Sequence, residues 1–466
     1  MSEAMIQALL DYYRLPEGSL GCATMASDGV SRDAGFFEFG TNNVCYGQCL
    51  SGVSVDVAGA RQWDALKAVR RNGSTIQLPF NFSEIIENLR LEHYRKNTIS
   101  GRRMVAASEP ILSLYYLIRE CLPVSVRRRL QRLYFRNWQE LPFPSWPVDW
   151  TVDVLHKEFL GLLMETSGMK NVPFIWFWPE GAPNCLIMTH DVETLAGRRF
   201  TSKLMDLDDS YGFKASFQVV PEKRYEVPDE YVREIRSCGC EFNIHDLTHD
   251  GRLFQDRTEF LRRAAKINAY ARRYDAKGFR AGSMYRNQDW YDSFEFSYDM
   301  SVPNVAHLEP MRGGCCTVMP YFIGRILELP LTTAEDYSLF HILNDYSLDL
   351  WKQQLALLTD RNGLMSFIAH PDNLIERRAR HVYESLLDLL RQKVDRERIW
   401  AALPGEVDQW WRARSQMKLV QKGSRWEIEG PEAERARIAF AAIDGDRVVY
   451  EVAAPAVSQT LIPNFS

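Results

Sequence analysis

Strand-like and helical hydrophobic patterns take turns along the middle of this chain. Cys185-Leu-Ile-Met-Thr189 is a short continuous apolar run, the pattern of a strand buried on both faces. Helical spacing follows at Leu204, Leu207 and Tyr211. Ala215 to Val220 is the next strand candidate, Pro228 opens a short helix, and Glu241 to Ile244 is a third strand. Asp256 with Glu259 three positions later predicts a helix start, and Phe260, Ala264, Ile267 and Ala271 continue one helical face. Gly278 to Ala281, Phe296 to Met300, Ile326 to Leu329 and Leu364 to Ala369 read as further strands, with helices over roughly 375–395 and 404–415 after them. Strands alternating with helices over so long a stretch imply an α/β domain with a parallel sheet or barrel.

The flanks differ from this middle. Residues 1–95 mix short strand-like runs with turns; Gly35 to Gly40 and Val44 to Tyr46, with Thr-Asn-Asn between them, predict a hairpin. Residues 96–180 read as a helical connector, with helices at Ile111–Ile118 and Val124–Phe135 joined through Leu122-Pro123, and a third from near Val152. The second carries Arg127, Arg128, Arg129, Arg132 and Arg136 among Leu130, Leu133, Tyr134 and Phe135. Such a basic amphipathic stretch can make peripheral contact with an anionic membrane. The plainer expectation, preferred on sequence alone, is an apolar stripe packed on its neighbour with the arginines in solvent. Leu141 to Pro147 is a stiff proline-rich linker. Residues 181–415 then form the α/β domain. Residues 416–466 form a strand-like appendage expected to close or extend it, with Asp444-Gly-Asp turning between its last two strands.

Composition narrows the function. A hydrophobic share of 46% with 25% charged residues is ordinary for a soluble globular protein, and a formal net charge of −5 speaks against nucleic acid as partner. The nine cysteines show no repeated Cys-x-x-Cys pairs, so neither a zinc knuckle nor a disulfide framework is expected. The first residues lack a basic segment leading into an apolar core, and no uncharged run approaches the ~20 residues of a membrane span. The expected compartment is the cytoplasm. Oligomeric state is not legible.

The chemistry-bearing residues cluster by position. His190, Asp191 and Glu193 follow the first strand of the α/β region, His245 and His249 the third, Arg280 the fourth and His370 the last. In parallel α/β architectures the C-terminal ends of strands share one face, which holds the active site. His245-Asp-Leu-Thr-His249 would set two imidazoles on one side of a helical turn, and a carboxylate from the first strand would complete a three-ligand metal site with room for water. The pair alone is a weak signal; the company of carboxylates and Arg280 makes it a metal-site prediction. His190 is either a cleft residue or a core histidine with a supporting role. His93, His156, His307, His341 and His381 read as structural, Asp208-Asp209 as solvated, and Glu335-Asp336 as neighbours of the cleft without a named role.

These residues resemble the motifs of the polysaccharide deacetylase family, also called the NodB homology domain or carbohydrate esterase family 4, over about 185–375. Thr189-His-Asp-Val-Glu193 is similar to its first motif, usually Thr-Phe-Asp-Asp-Gly. Lys214 to Val220 resembles the following strand, His245-Asp-Leu-Thr-His249 the second motif, Phe279-Arg280-Ala281 the start of the third, Tyr298-Asp299-Met-Ser301 the stretch around the fourth, and Ile368-Ala-His370 the fifth. Five motifs in order make a specific signal.

The resemblance implies a distorted (β/α) barrel of about seven strands and a divalent metal, often zinc. It implies His245 and His249 as ligands, Asp191 as general base, Arg280 orienting that base, His370 as general acid and Asp299 supporting the acid. With Asp191 as base, the third ligand is Glu193; the reverse assignment stays open. The third motif lacks its usual proline, which implies a differently shaped groove. The implied activity is hydrolysis of the N-acetyl or other acyl group of an amino sugar in a polysaccharide or its precursor. Two rivals are another metal-dependent C–N hydrolase on the same fold, acting on a small cyclic amide, and an inactive carbohydrate-binding relative.

Overall fold

All eight residues of Cys185–Val192 are buried, which puts this strand inside a sheet covered on both faces. The chain, described here from a computed structural model, divides into two compact units: Gly101–Asp149 with Pro183–Asp408, and Met1–Ser100 with Trp150–Ala182 and Gln409–Ser466. The structure describes residues 2–16, 18, 22–25, 30–41, 43–50, 62–73, 75–95, 124–445 and 447–453. The helix expected at Ile111–Ile118 lies outside them.

The first unit runs α1 (Val124–Phe135), β1 (Cys185–Val192), α2 (Leu195–Ser210), β2 (Ala215–Val219), α3 (Asp229–Ser237), β3 (Glu241–His245), α4 (Arg257–Tyr274), β4 (Gly278–Arg280), β5 (Tyr298–Asp299), β6 (Tyr321–Ile323), β7 (Ile326–Glu328), α5 (Asp349–Thr359), β8 (Leu364–Ala369), α6 (Arg377–Glu397) and β9 (Trp400–Ala401). The sheet order is β6-β7-β5-β4-β3-β2-β1-β8, with β9 also on β1. Every pairing is parallel except β6 on β7. Seven parallel strands thus follow one another along one curled sheet, and the ends of β1, β3, β4 and β8 open on one face.

The caps agree with the sequence: Asp256 accepts from the Glu259 amide at 2.9 Å to start α4, and Thr194 accepts from the Gly197 amide at 3.0 Å to start α2. Among the described residues no ladder closes β8 back onto β6. Threonine hydroxyls stand in for one: Thr332 Oγ1 donates to the Leu364 carbonyl at 2.7 Å and accepts from the Ser366 amide at 3.0 Å, and Thr333 Oγ1 donates to the Ser366 carbonyl at 2.7 Å. The fold is therefore an α/β barrel distorted at this seam.

The second unit carries the predicted hairpin, Gly35–Glu38 against Val44–Gly47, and the helix Thr151–Ser167. The C-terminal strands behave differently from expectation. Ile438–Asp444 pairs with Arg447–Val452, and on its other edge with Asn171–Ile175, so the appendage completes a three-stranded sheet of this unit. Buried Arg414 locks the same unit by donating to the carbonyls of Tyr12, Ile175 and Trp176 at 2.7–2.9 Å. Cys45, Cys49, Cys185, Cys238, Cys240, Cys315 and Cys316 are free thiols. Among the described residues no helix is long and apolar enough to cross a membrane.

One buried acid in this unit has a measurable consequence. Glu158 accepts from Asn43 Nδ2 at 2.8 Å, and its other oxygen is buried without a hydrogen-bond partner. Burial pushes its carboxyl up to about 7 from an ordinary 4.5, with the Asn43 bond opposing and Asp64 adding to the rise. A folded-state value above the unfolded one makes a contribution that is complete below the unfolded value and is lost as pH rises through about 7. The thermal midpoint should therefore fall by a few degrees more between about pH 5 and pH 8 in the wild type than in Glu158→Gln. Equal slopes in a calorimetric comparison would remove Glu158 as the cause.

Candidate active site

Side chains alternate along a strand, and on β1 this alternation sorts the first motif into two roles. Thr189 and Asp191 face the site, and Glu193, just beyond the strand end, follows them. His190 points the other way, into the packing between helices. Its Nδ1 lies 3.0 Å from the Ala369 carbonyl and its Nε2 2.8 Å from Asp208 Oδ2, while Tyr383 donates to Asp208 Oδ1 at 2.7 Å. His190 is thus a fully buried supporting residue. Asp208, read from the sequence as solvated, is 1% exposed and is the partner that lets this histidine be buried.

Arg280, at the end of β4, is fully buried and spans the barrel interior. Its Nη1 donates to Asp191 Oδ1 at 2.7 Å and to Thr189 Oγ1 at 2.8 Å, and its Nε donates to the Met300 carbonyl at 2.9 Å. Burial alone would push the Asp191 carboxyl up, but Arg280, with His245 and His370 nearby, outweighs it and holds the group below its usual range. Asp191 Oδ2 is left facing the cluster, 3.7 Å from His245 Nε2.

Glu193 is the centre of that cluster. Its Oε1 lies 2.8 Å from His249 Nε2, 3.5 Å from His245 Nε2 and 3.4 Å from His370 Nε2. Ligand atoms of Glu193, His245 and His249 all fall within 4.8 Å of one another. His249 Nε2 is buried, and despite the short distance its angle to Glu193 makes no hydrogen bond. His245 Nδ1 is 3.1 Å from the Arg280 carbonyl, a contact that fixes the tautomer and turns the Nε2 lone pair toward Glu193. Two imidazole nitrogens and a carboxylate oxygen thus converge in one buried cluster, a donor set that fits a divalent metal.

The local geometry of the histidine pair is not the expected helical turn. His245 ends β3, and the chain then bends with Asp246 at φ 54° and His249 at φ 53°. Two left-handed residues bring the second imidazole back over the first. Gly282 makes room for this: a Cβ there would meet Asp246 Oδ2 at 2.6 Å and His249 Cδ2 at 2.9 Å. A segment the motifs did not mark clamps the stretches that carry His249 and Glu193. Arg224 donates to the carbonyls of Thr248 at 3.1 Å and His249 at 2.5 Å, and the Tyr225 hydroxyl donates to the Val192 carbonyl.

His370 follows β8, as expected, but its supporting carboxylate is Asp336. His370 Nδ1 lies 2.6 Å from Asp336 Oδ1, and the His370 amide donates to Asp336 Oδ2 at 3.0 Å. Burial opposes the charged imidazole, yet Asp336 and Glu193 raise it well above the ordinary histidine range. Asp299 does not touch His370. It accepts from Ser301 Oγ at 2.7 Å, the Ser301 amide at 2.9 Å and Tyr291 at 3.1 Å, and Ser301 Oγ accepts from the Ala281 amide at 2.8 Å. Asp299 therefore braces the chain beside Arg280. The reason is register: Asp299 of β5 pairs with Phe279 of β4 and Glu328 of β7, on the side of β4 away from β1 and β8 along the sheet. Asp336 was visible in the sequence as one of two acids after a strand, but nothing local there points to a histidine more than thirty positions away.

No family model matches the sequence, and no curated protein matches it. Solved structures do. A Mycobacterium smegmatis protein provisionally described as a polysaccharide deacetylase is 17% identical with a TM-score of 0.43, covering 53% of this chain and 96% of that one. An allantoinase is 11% identical with a TM-score of 0.41, covering 50% and 92%. A family 4 acetyl xylan esterase of Clostridium thermocellum, in complex with a cobalt ion, is 15% identical with a TM-score of 0.33, covering 49% and 91%. Over about half of its length, the chain is similar to structures that carry the polysaccharide deacetylase and carbohydrate esterase family 4 names.

Proposed function

We propose that the chain is a metal-dependent hydrolase that removes an acyl group, acetyl foremost, from the nitrogen of an amino sugar in a polysaccharide or its precursor. One observation carries the reading: a three-ligand cluster of Glu193, His245 and His249 lies between an arginine-paired aspartate and an aspartate-paired histidine. Glu193, His245 and His249 would hold the metal, zinc being the first candidate for this ligand set. When bound, such a cation supplies Lewis acidity toward the amide carbonyl and the attacking water.

The chain's own residues supply the proton transfers. Asp191, kept anionic by Arg280, presents Oδ2 to the cluster and takes a proton from the attacking water. Its other oxygen stays on the guanidinium, so the base keeps its orientation through the reaction. His370, held cationic by Asp336, presents Nε2 3.4 Å from Glu193 Oε1 and gives a proton to the nitrogen as the carbon–nitrogen bond breaks. A carbon–oxygen bond to the acyl carbon forms, and the products are a carboxylic acid and a free amine. Asp336 positions the acid, and Arg224 with Tyr225 positions the ligands.

Metal content separates this reading from a carbohydrate-binding relative without catalysis. Purified protein should hold about one divalent ion per chain by mass spectrometry, and His245→Ala/His249→Ala should hold none. No ion in the wild type after reconstitution with zinc or cobalt would end the hydrolase reading.

The proton-transfer roles are tested on the loaded protein. Asp191→Asn keeps a hydrogen-bond acceptor for Arg280 and should retain the metal. Acetate release from an N-acetylated amino-sugar oligomer should fall about a hundredfold or more, the range a general base contributes. Activity within a few fold of wild type would remove Asp191 from that role. Asp336→Asn should keep the metal and lower the turnover number more than the Michaelis constant, because it disturbs the acid that protonates the leaving amine. An unchanged turnover number would assign Asp336 to structure alone.

A further inference from the structure

Seven large apolar side chains stand exposed among the described residues, and four of them lie on the three elements that border the candidate active site: Leu130 (41% exposed), Leu133 (55%), Leu195 (42%) and Ile375 (44%). Leu195 opens α2, two residues after Glu193. Ile375 lies five residues after His370, and Gly197 of α2 packs on the Asp372 backbone beside it. Leu130 and Leu133 belong to α1, which is joined to the acid end of the site by direct bonds. Arg132 Nε donates to the His341 carbonyl at 3.1 Å, and Tyr337 donates to Gln131 at 2.7 Å. His341 Nε2 in turn lies 2.9 Å from Asn373, which donates to Asp336 at 3.0 Å. The preferred sequence expectation for α1 is thus half met: Phe135 packs inward on Leu308 and Ile342, but Leu130 and Leu133 face solvent.

Each of these apolar points sits among arginines. Residues 124–136, 195–200 and 375–380 together hold ten arginines against one glutamate, in a chain whose net charge is −5. Arg129 and Arg136 are exposed on either side of the two leucines of α1, and Arg199 and Arg377 are exposed beside Leu195 and Ile375.

We propose that this face docks on an anionic phospholipid bilayer, with Leu130, Leu133, Leu195 and Ile375 dipping below the headgroups and the flanking arginines on lipid phosphates. Apolar side chains interleaved with cations are what an interfacial contact uses. The other occupants fit less well. A nucleic acid would satisfy the arginines but give aliphatic side chains nothing to enter. A second copy on a two-fold axis would set the patch against itself and press arginine on arginine. The docked face is the one on which the strand ends open, so the site would face the membrane surface. The inference holds whatever reaction the site performs.

Cosedimentation of the full chain with vesicles tests it without any turnover measurement, so its failure would leave the hydrolase reading standing. Wild type should bind phosphatidylcholine vesicles rich in phosphatidylglycerol and not vesicles of phosphatidylcholine alone. Arg129→Gln/Arg136→Gln should lower partitioning about thirtyfold, since each arginine near an anionic surface is worth about a factor of five. Leu130→Ser/Leu133→Ser should lower it at least tenfold, and neither pair should change the metal content or thermal midpoint. Three results would overturn the proposal. They are no preference for anionic vesicles in the wild type, serine variants that bind as well as wild type (a soluble polyanion site), or a wild-type dimer in sedimentation velocity that the serine pair makes monomeric without any vesicle binding (a second copy).

Discussion

A guanidinium with no exposed surface cannot be left unpaired, and Arg280 is such a group at the middle of the barrel. Its bonds reach Asp191 and Thr189 of β1 on one side and the carbonyl of Met300 beyond β5 on the other. One side chain thus ties the sheet across its concave face. The pair also sets the charge of the site: with Arg280 in place, Asp191 stays ionised in surroundings that would otherwise neutralise it. Removing either partner strands a buried charge, a loss of order 3–5 kcal/mol. The rest of the cluster is arranged around this constraint. Asp191 commits one oxygen to Arg280 and keeps the other for the cluster, and that division leaves Glu193 as the carboxylate between the imidazoles.

The same two-residue alternation explains what was legible in the sequence. Strand ends, the carboxylates at the end of β1, the histidines at the ends of β3 and β8, and the arginine of β4 all follow from periodicity and from the shared face of parallel strands. The interval of two between Asp191 and Glu193 puts both on that face, and His190 between them goes to the helices. Less legible were contacts made between elements distant in sequence. Asp336 reaches His370 because the stretch holding Thr332 and Thr333 runs beside β8 through hydroxyl bonds, a pairing with no strand pattern to reveal it. Asp208 looked solvated because its helix reads as amphipathic with acids outside; burial came from Tyr383 and His190 on two other elements. Asp299 was assigned by motif order, and strand register carried it away from His370 toward Ser301 and Tyr291.

Backbone conformation carries the remaining part. Asp246, His249, Ser283 and Met284 all have positive φ without being glycine, and all lie in the two loops that follow β3 and β4. Such residues cost of order 1–3 kcal/mol each and persist only where the surroundings over-determine them. Here the surroundings are visible. Arg224 takes the carbonyls of Thr248 and His249, Arg263 pairs with Asp250 through both guanidinium ends, and Gly282 leaves the space that Asp246 and His249 fill. A helical turn would have placed the two imidazoles side by side with no strain, but it would also have left their separation to side-chain rotamers. The bent loop instead fixes them through the backbone, with ring centroids 4.8 Å apart and the Nε2 atoms 3.5 Å and 2.8 Å from one carboxylate oxygen. That arrangement trades local stability for a histidine–carboxylate cluster held in place by the backbone rather than by side-chain rotamers.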